Sequence, residues 1–120
     1  MTHNSTALPT ILVTDDNRDA ADVLATFLTV SGYPTVCAYS APEALDALDR
    51  NPGIGWVISD VRMPGIDGFD FLRVVRHRFP QMNVVLVTGH EITSEDVVPA
   101  GATILRKPVD LDRLLQLLPR

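Results

Sequence analysis

Val84-Val85-Leu86-Val87-Thr88 is the stretch on which the fold turns. It runs without the polar alternation of a half-exposed strand and is rich in β-branched residues, which marks a central strand of a parallel sheet covered on both faces. The run closes on a hydroxyl, Thr88, and the same design recurs along the chain. Ile11-Leu12-Val13 is followed by Asp15-Asp16, Trp56-Val57-Ile58 by Asp60, and Ile104-Leu105 by Lys107. If these runs are neighbouring parallel strands, all of these polar groups open onto one edge of the sheet.

The segments between the runs carry helical spacing. From the capping residue Asn17, apolar positions Ala20, Val23, Leu24, Phe27 and Leu28 recur until Gly32 stops the pattern. A short β-prone run, Thr35 to Tyr39, leads into Ser40 and Glu43, spaced as a capping box, with Pro42 tolerable in the first turn of a helix that turns Ala44, Leu45, Ala47 and Leu48 inward. Asn51-Pro52-Gly53 breaks the chain before a strand at Trp56 to Ser59. Met63-Pro64-Gly65 makes a turn, and Asp67 caps a third helix presenting Phe71, Leu72, Val74 and Val75. Thr93 to Ala100 is expected as a brief fourth helix, with Pro99 near its end. A strand at Thr103 to Arg106 follows Gly101, and Asp110 opens a last helix with Leu111, Leu114, Leu115 and Leu118 inward.

Five strands alternating with five helices predict an α/β fold, a doubly wound three-layer sandwich around a parallel sheet, because each right-handed crossover helix must cover one face or the other. Ligands of such sheets bind beyond the carboxyl ends of the strands, where strand order reverses. The opening residues all stand at carboxyl ends.

The 120 residues suit one domain, and 46% hydrophobic content lets the chain bury roughly two thirds of its unfolded surface without disulfides or a structural metal. Residues 1–9 read as a flexible lead-in and residues 10–120 as the domain. A net charge of −5 argues against nucleic acid as a partner, since phosphate backbones call for clustered Lys and Arg. Cys37, the single cysteine, reads as a buried free thiol. With no apolar stretch near the roughly 20 residues needed to span a bilayer and no export leader, the expectation is a cytoplasmic protein without membrane insertion.

Taken singly, each strand-end residue has an ordinary explanation: helix capping for Asp15-Asp16, a loop for Asp60, a strand-end hydroxyl for Thr88, a solvated lysine for Lys107. Their joint placement on matching strand ends does not. Two carboxylates about 4 Å apart repel by about 4 kcal/mol at an effective dielectric near 20, so the cluster calls for a cation. All-oxygen ligands with room for water suit Mg²⁺. A carboxylate, a divalent cation, a lysine and a hydroxyl around one spot are the parts that move a phosphoryl group, and a carboxylate can itself be the nucleophile, giving an acyl phosphate.

From Ile11 to Leu118 the chain resembles the receiver domain of bacterial two-component response regulators, of the single-domain chemotaxis type. The resemblance rests on Asp15-Asp16 after the first strand, Ser59-Asp60-Val61-Arg62-Met63-Pro64-Gly65-Ile66-Asp67-Gly68 after the third, Val87-Thr88-Gly89-His90 after the fourth and Lys107-Pro108 after the fifth. It implies a flavodoxin-like sheet of order 2-1-3-4-5. It further implies Asp60 as phosphoacceptor, with Mg²⁺ held by Asp15, Asp16, Asp60 and the backbone carbonyl of Arg62. Thr88 and Lys107 would contact the phosphoryl group, and the Lys107-Pro108 peptide would be cis. The implied partners are a sensor histidine kinase or histidine phosphotransfer protein and a downstream protein target; the chain would be no enzyme beyond its own phosphorylation and dephosphorylation. Arg62 and His90, two positions after Asp60 and Thr88, stand where side chains overhang the phosphoryl group and are expected to tune its lifetime.

Two departures stand out. Ile104 occupies the place, three before the lysine, where many receivers carry an aromatic switch residue, and the Thr88–Lys107 segment is short, so the fourth helix is expected to be stunted or irregular. These features favour, as an alternative, a pseudo-receiver acting only as an interaction module. An Mg²⁺-dependent aspartyl phosphatase is a further alternative, disfavoured because such enzymes place a second Asp two residues after the nucleophile, where this chain has Arg62. Neither Gly-x-x-x-x-Gly-Lys-Ser/Thr nor Gly-x-Gly-x-x-Gly follows the first strand, which speaks against nucleotide binding.

Overall fold

The computed structural model describes residues 8–63, 65–89 and 102–119. Its elements run β1 (Thr10–Thr14), α1 (Arg18–Val30), β2 (Thr35–Ala38), α2 (Ala41–Arg50), β3 (Ile54–Asp60), β4 (Arg62–Met63), β5 (Ile66–Asp67), α3 (Gly68–Arg78), β6 (Asn83–Thr88), β7 (Ala102–Arg106) and α4 (Leu111–Leu117). Five strands form one sheet of order β2-β1-β3-β6-β7, and every pairing in it is parallel. This is the expected 2-1-3-4-5 order once β4 and β5, a two-residue antiparallel ladder, are set aside. The helix expected at Thr93 to Ala100 lies outside the described residues, as do His90, Pro64 and the first seven residues of the lead-in. The expected last helix is α4.

Alternation along the strands splits the core into two layers. Leu12, Val57, Val84 and Leu86 face α2 and α3, where Phe71, Leu72 and Val75 are fully buried. Ile11, Val13, Ile58, Val85 and Val87 face the opposite way, with Leu28 of α1 and Leu114 of α4. Each such Leu or Phe contributes roughly 1.5–3 kcal/mol by leaving water, so both sheet faces hold their helices firmly.

The caps fall where the polar residues predicted them. The Asn17 side chain accepts from Ala20 N–H, Ser40 from Glu43 N–H, Asp67 from Phe69 N–H and Asp110 from the N–H groups of Asp112 and Arg113. Gly32, at φ +103°, ends α1 in the left-handed conformation that glycine adopts without penalty.

The inward face of α1 is displaced from the sequence expectation. Val23 is 71% exposed and Ala20 is exposed, while Ala21 and Leu28 are buried, with Leu24 and Phe27 half-buried. Five apolar positions at helical spacing span too wide an arc for one helix against a sheet, and the sheet meets only the side through Ala21 and Leu28. Leu111 likewise stands 37% exposed at the start of α4, whereas Leu114 and Leu118 are buried. Cys37 is half-buried rather than buried, because β2 is the edge strand. Burial pushes its thiol above the ordinary value.

Candidate functional site

Sheet order reverses between β1 and β3, so the chain leaves these two central strands in opposite directions and a crevice opens at their carboxyl ends. Thr14 pairs with Ser59, which places Asp15 beside Asp60 across that crevice. One carboxylate oxygen from each of Asp15, Asp16 and Asp60 lies within 4.8 Å of the others. Three acidic groups that close form a donor set of hard oxygens, partly exposed and therefore open to water. That combination fits Mg²⁺.

The local chain pins these groups. Asn17 N–H donates to Asp15 Oδ1 at 3.0 Å while the Asn17 side chain caps α1, so one residue fixes both the first carboxylate and the helix that follows. Arg62 N–H donates to Asp60 Oδ1 at 3.1 Å. The second oxygen, Asp60 Oδ2, accepts from Lys107 Nζ at 2.8 Å, across a side chain of Asp60 that is only 12% exposed. Lys107 arrives from the end of β7, where its N–H donates to the Thr88 carbonyl at 2.8 Å and the Lys107-Pro108 peptide is cis.

Burial holds the Asp15 carboxyl above its ordinary value, opposed by the Asn17 N–H and reinforced by the Asp60 charge. The hydrogen bond to Asp60 holds the Lys107 ammonium above its ordinary value against the opposing effect of burial. The Lys107 ammonium thus sets a positive charge directly against the carboxylate cluster.

Thr88 ends β6 one residue beyond Val87, the register partner of Asp60, and is 1% exposed. The structure therefore brings Asp15, Asp16, Asp60 and Lys107 together by measured contacts and sets Thr88 on the neighbouring strand end. The Arg62 side chain is exposed beside them. Ile104 is half-buried and packs against the α2/α3 layer of the core.

Sequence reasoning did not find the tie from Asn17 to Asp15, although an Asp-Asp-Asn turn entering a helix could have signalled it. Nor did it find the clamp on α1 next to the site. Tyr39 OH donates to Asp22 at 2.7 Å, with the Arg18 guanidinium 4.1 Å from the Tyr39 ring centroid. Accepting that bond, the Asp22 carboxylate pushes the Tyr39 hydroxyl up to about 12. Beyond Lys107, an open cleft of about 790 Å³ runs between α1 and α4, walled by Leu24, Phe27 and Val109 and floored near Asp60.

Comparison with known proteins agrees with this geometry. The sequence profile described as response regulator receiver domain matches residues 11–119. The chain is 34% identical over 113 residues to the C4-dicarboxylate transport transcriptional regulatory protein DctD of Rhizobium meliloti, covering 92% of this chain and 24% of that protein. It is thus similar to about a quarter of that relative's length. A response regulator receiver protein from Pseudomonas putida superposes with TM-score 0.82 at 33% identity, covering 93% of this chain and 96% of that one. The response regulator protein TrrA of Thermotoga maritima, solved in complex with Mg(2+)-BeF, does so with TM-score 0.82 at 26% identity, covering 92% and 96%.

Proposed function

The chain belongs to the family of response regulator receiver domains, and on that premise we propose that it is a phosphorylation-dependent switch whose phosphoacceptor is Asp60. The observation that carries this reading is the 2.8 Å contact of Lys107 Nζ with Asp60 Oδ2 inside a cluster of three carboxylates. A lysine held there is positioned to follow the charge from the carboxylate to an incoming phosphoryl group.

In the proposed reaction an Asp60 oxygen attacks phosphorus of a phosphohistidine on a sensor kinase or histidine phosphotransfer protein. A P–O bond forms, the P–N bond breaks, and the imidazole leaves as the neutral base after taking up a proton. Asp15, Asp16, Asp60 and the Arg62 carbonyl would hold Mg²⁺, which supplies neutralisation of the charge on the transferring oxygens. Lys107 exchanges its Asp60 partner for a phosphoryl oxygen, and the Thr88 hydroxyl donates to another. The chain catalyses nothing beyond its own phosphorylation and dephosphorylation, and its output passes through protein contact. Its acidity sets this domain itself apart from nucleic acid, although a relative 34% identical over 112 residues is described as the DNA-binding transcriptional regulator NtrC of Klebsiella pneumoniae. Among the described residues no helix is long and apolar enough to cross a membrane, in keeping with a proposed cytoplasmic site of action.

The test is incubation with a small phosphodonor and Mg²⁺, followed by intact mass of the wild type and of Asp60→Asn. A gain of one phosphoryl group, stable in acid, labile in base and lost in the variant, is expected. No gain favours a pseudo-receiver, and rapid multiple turnover of the donor favours a phosphatase.

A further inference from the structure

The loop that carries Arg62 is closed by backbone touching backbone. Gly68, the first residue of α3, donates its N–H to the Val61 carbonyl at 2.6 Å. Between them the β4–β5 ladder pairs Arg62 with Asp67 and Met63 with Ile66, so the loop is a small hairpin whose two ends meet at Val61 and Gly68. A Cβ on Gly68 would lie 2.5 Å from Val61 Cα, 2.7 Å from Val61 O and 2.8 Å from Asp60 O. All three are main-chain atoms, so no rotamer change relieves the clash. The φ of Gly68 is not in the left-handed region, and a helix would ordinarily favour alanine over glycine. Space alone demands glycine here.

The atoms a Cβ would strike belong to the phosphoacceptor's own peptide unit and to the residue before Arg62. Behind the loop, α3 cannot retreat, because Phe71, Leu72 and Val75 anchor it in a fully buried layer. Ahead of it, Val61 N–H is tied to the Val87 carbonyl at 3.0 Å. The displacement would therefore pass to the Val61–Arg62 peptide, whose N–H fixes Asp60 Oδ1, and through it to the Arg62 carbonyl, the proposed neutral ligand.

Resting on the reading of Asp60 as an Mg²⁺-assisted phosphoacceptor, we infer that Gly68 is a positioning residue of the cation site: its missing side chain lets α3 press the Val61–Arg62 backbone into register with the Asp15, Asp16 and Asp60 carboxylates. Gly68 acts on the cation through this backbone and touches neither cation nor phosphoryl group.

The test compares Mg²⁺ affinity, by calorimetric titration, for wild type, Gly68→Ala and Val75→Ala. Val75→Ala loosens the same helix by leaving a cavity, without pushing on the loop. Expected is an affinity at least tenfold weaker in Gly68→Ala and within twofold of wild type in Val75→Ala, at comparable losses of urea midpoint. Equal affinities in the two variants would overturn the inference. Wild type that takes up no Mg²⁺ would overturn the phosphoacceptor reading beneath it, a result distinct from wild type and Gly68→Ala binding alike. Should Gly68→Ala not fold, amide exchange in the wild type decides the matter. Mg²⁺ is expected to slow Gly68 and Arg62 exchange together; protection confined to Arg62 would contradict the coupling.

Discussion

Asp15 and Lys107 face the same crevice and are perturbed for opposite reasons, and each carries a prediction. Folding buries Asp15 near two like charges and so disfavours its ionised form. Its contribution to stability is most favourable below the ordinary carboxyl value of 3.8 and is lost as pH rises through the raised folded value. Asp15→Asn is therefore expected to raise the urea midpoint of the metal-free protein at pH 7 and to leave it nearly unchanged at pH 3.5. Wild type at Mg²⁺ about 100 times its dissociation constant gains about 2.7 kcal/mol, and the variant gains almost none. Lys107 is raised as well, but by stabilisation of its charged form through the hydrogen bond to Asp60. Its folded value is raised above 10.5, so the stability contributed by its charge is fully present below 10.5 and is lost only as pH climbs through the raised value. Lys107→Ala should therefore slow Asp60 phosphorylation by on the order of 10²-fold across the neutral range, read as the initial rate of mass gain from a small phosphodonor.

Strand ends and caps are the elements that aim these residues, and most of them were legible in the sequence. Asp67 and Asp110 cap α3 and α4 as their positions predicted, and unalternating apolar runs became the strands of the central sheet. The misses have physical causes. Helical spacing of Ala20, Val23, Leu24, Phe27 and Leu28 shows that α1 is amphipathic but not which part of a wide apolar arc meets the sheet; packing turned Val23 outward. The β4–β5 ladder is too short to have a period, so the meeting of Val61 and Gly68 emerges only in the folded chain. At this scale Asp110→Ala, which deprives two N–H groups of their acceptor, should cost about 1 kcal/mol in urea unfolding. Because α4 begins only a few residues after Lys107, the same variant should also weaken phosphorylation modestly while leaving Mg²⁺ affinity unchanged.

For the molecule as a whole, sequence periodicity was enough to indicate a doubly wound parallel sheet with one edge on which Asp15, Asp16, Asp60, Thr88 and Lys107 can all end, while its strand order came from the family resemblance. The side-chain geometry that ties Lys107 to Asp60, 47 positions apart, depends on the completed sheet and could not be read from spacing. Integrity of that sheet is then a condition of the chemistry. Phe71→Ala empties a fully buried position beneath β3 and should cost about 3–5 kcal/mol, enough to leave a marginal domain largely unfolded by circular dichroism. The central claim is that the converging strand ends form one Mg²⁺-assisted acceptor on a single carboxylate. The most direct measurement is borohydride reduction of protein exposed to a small phosphodonor, followed by digestion and tandem mass spectrometry, with and without EDTA. An acyl phosphate is reduced to the alcohol, so the account predicts homoserine at position 60 alone, in the Mg²⁺ sample alone. Reduction at position 15 or 16, or equal reduction at position 60 in EDTA, would contradict it.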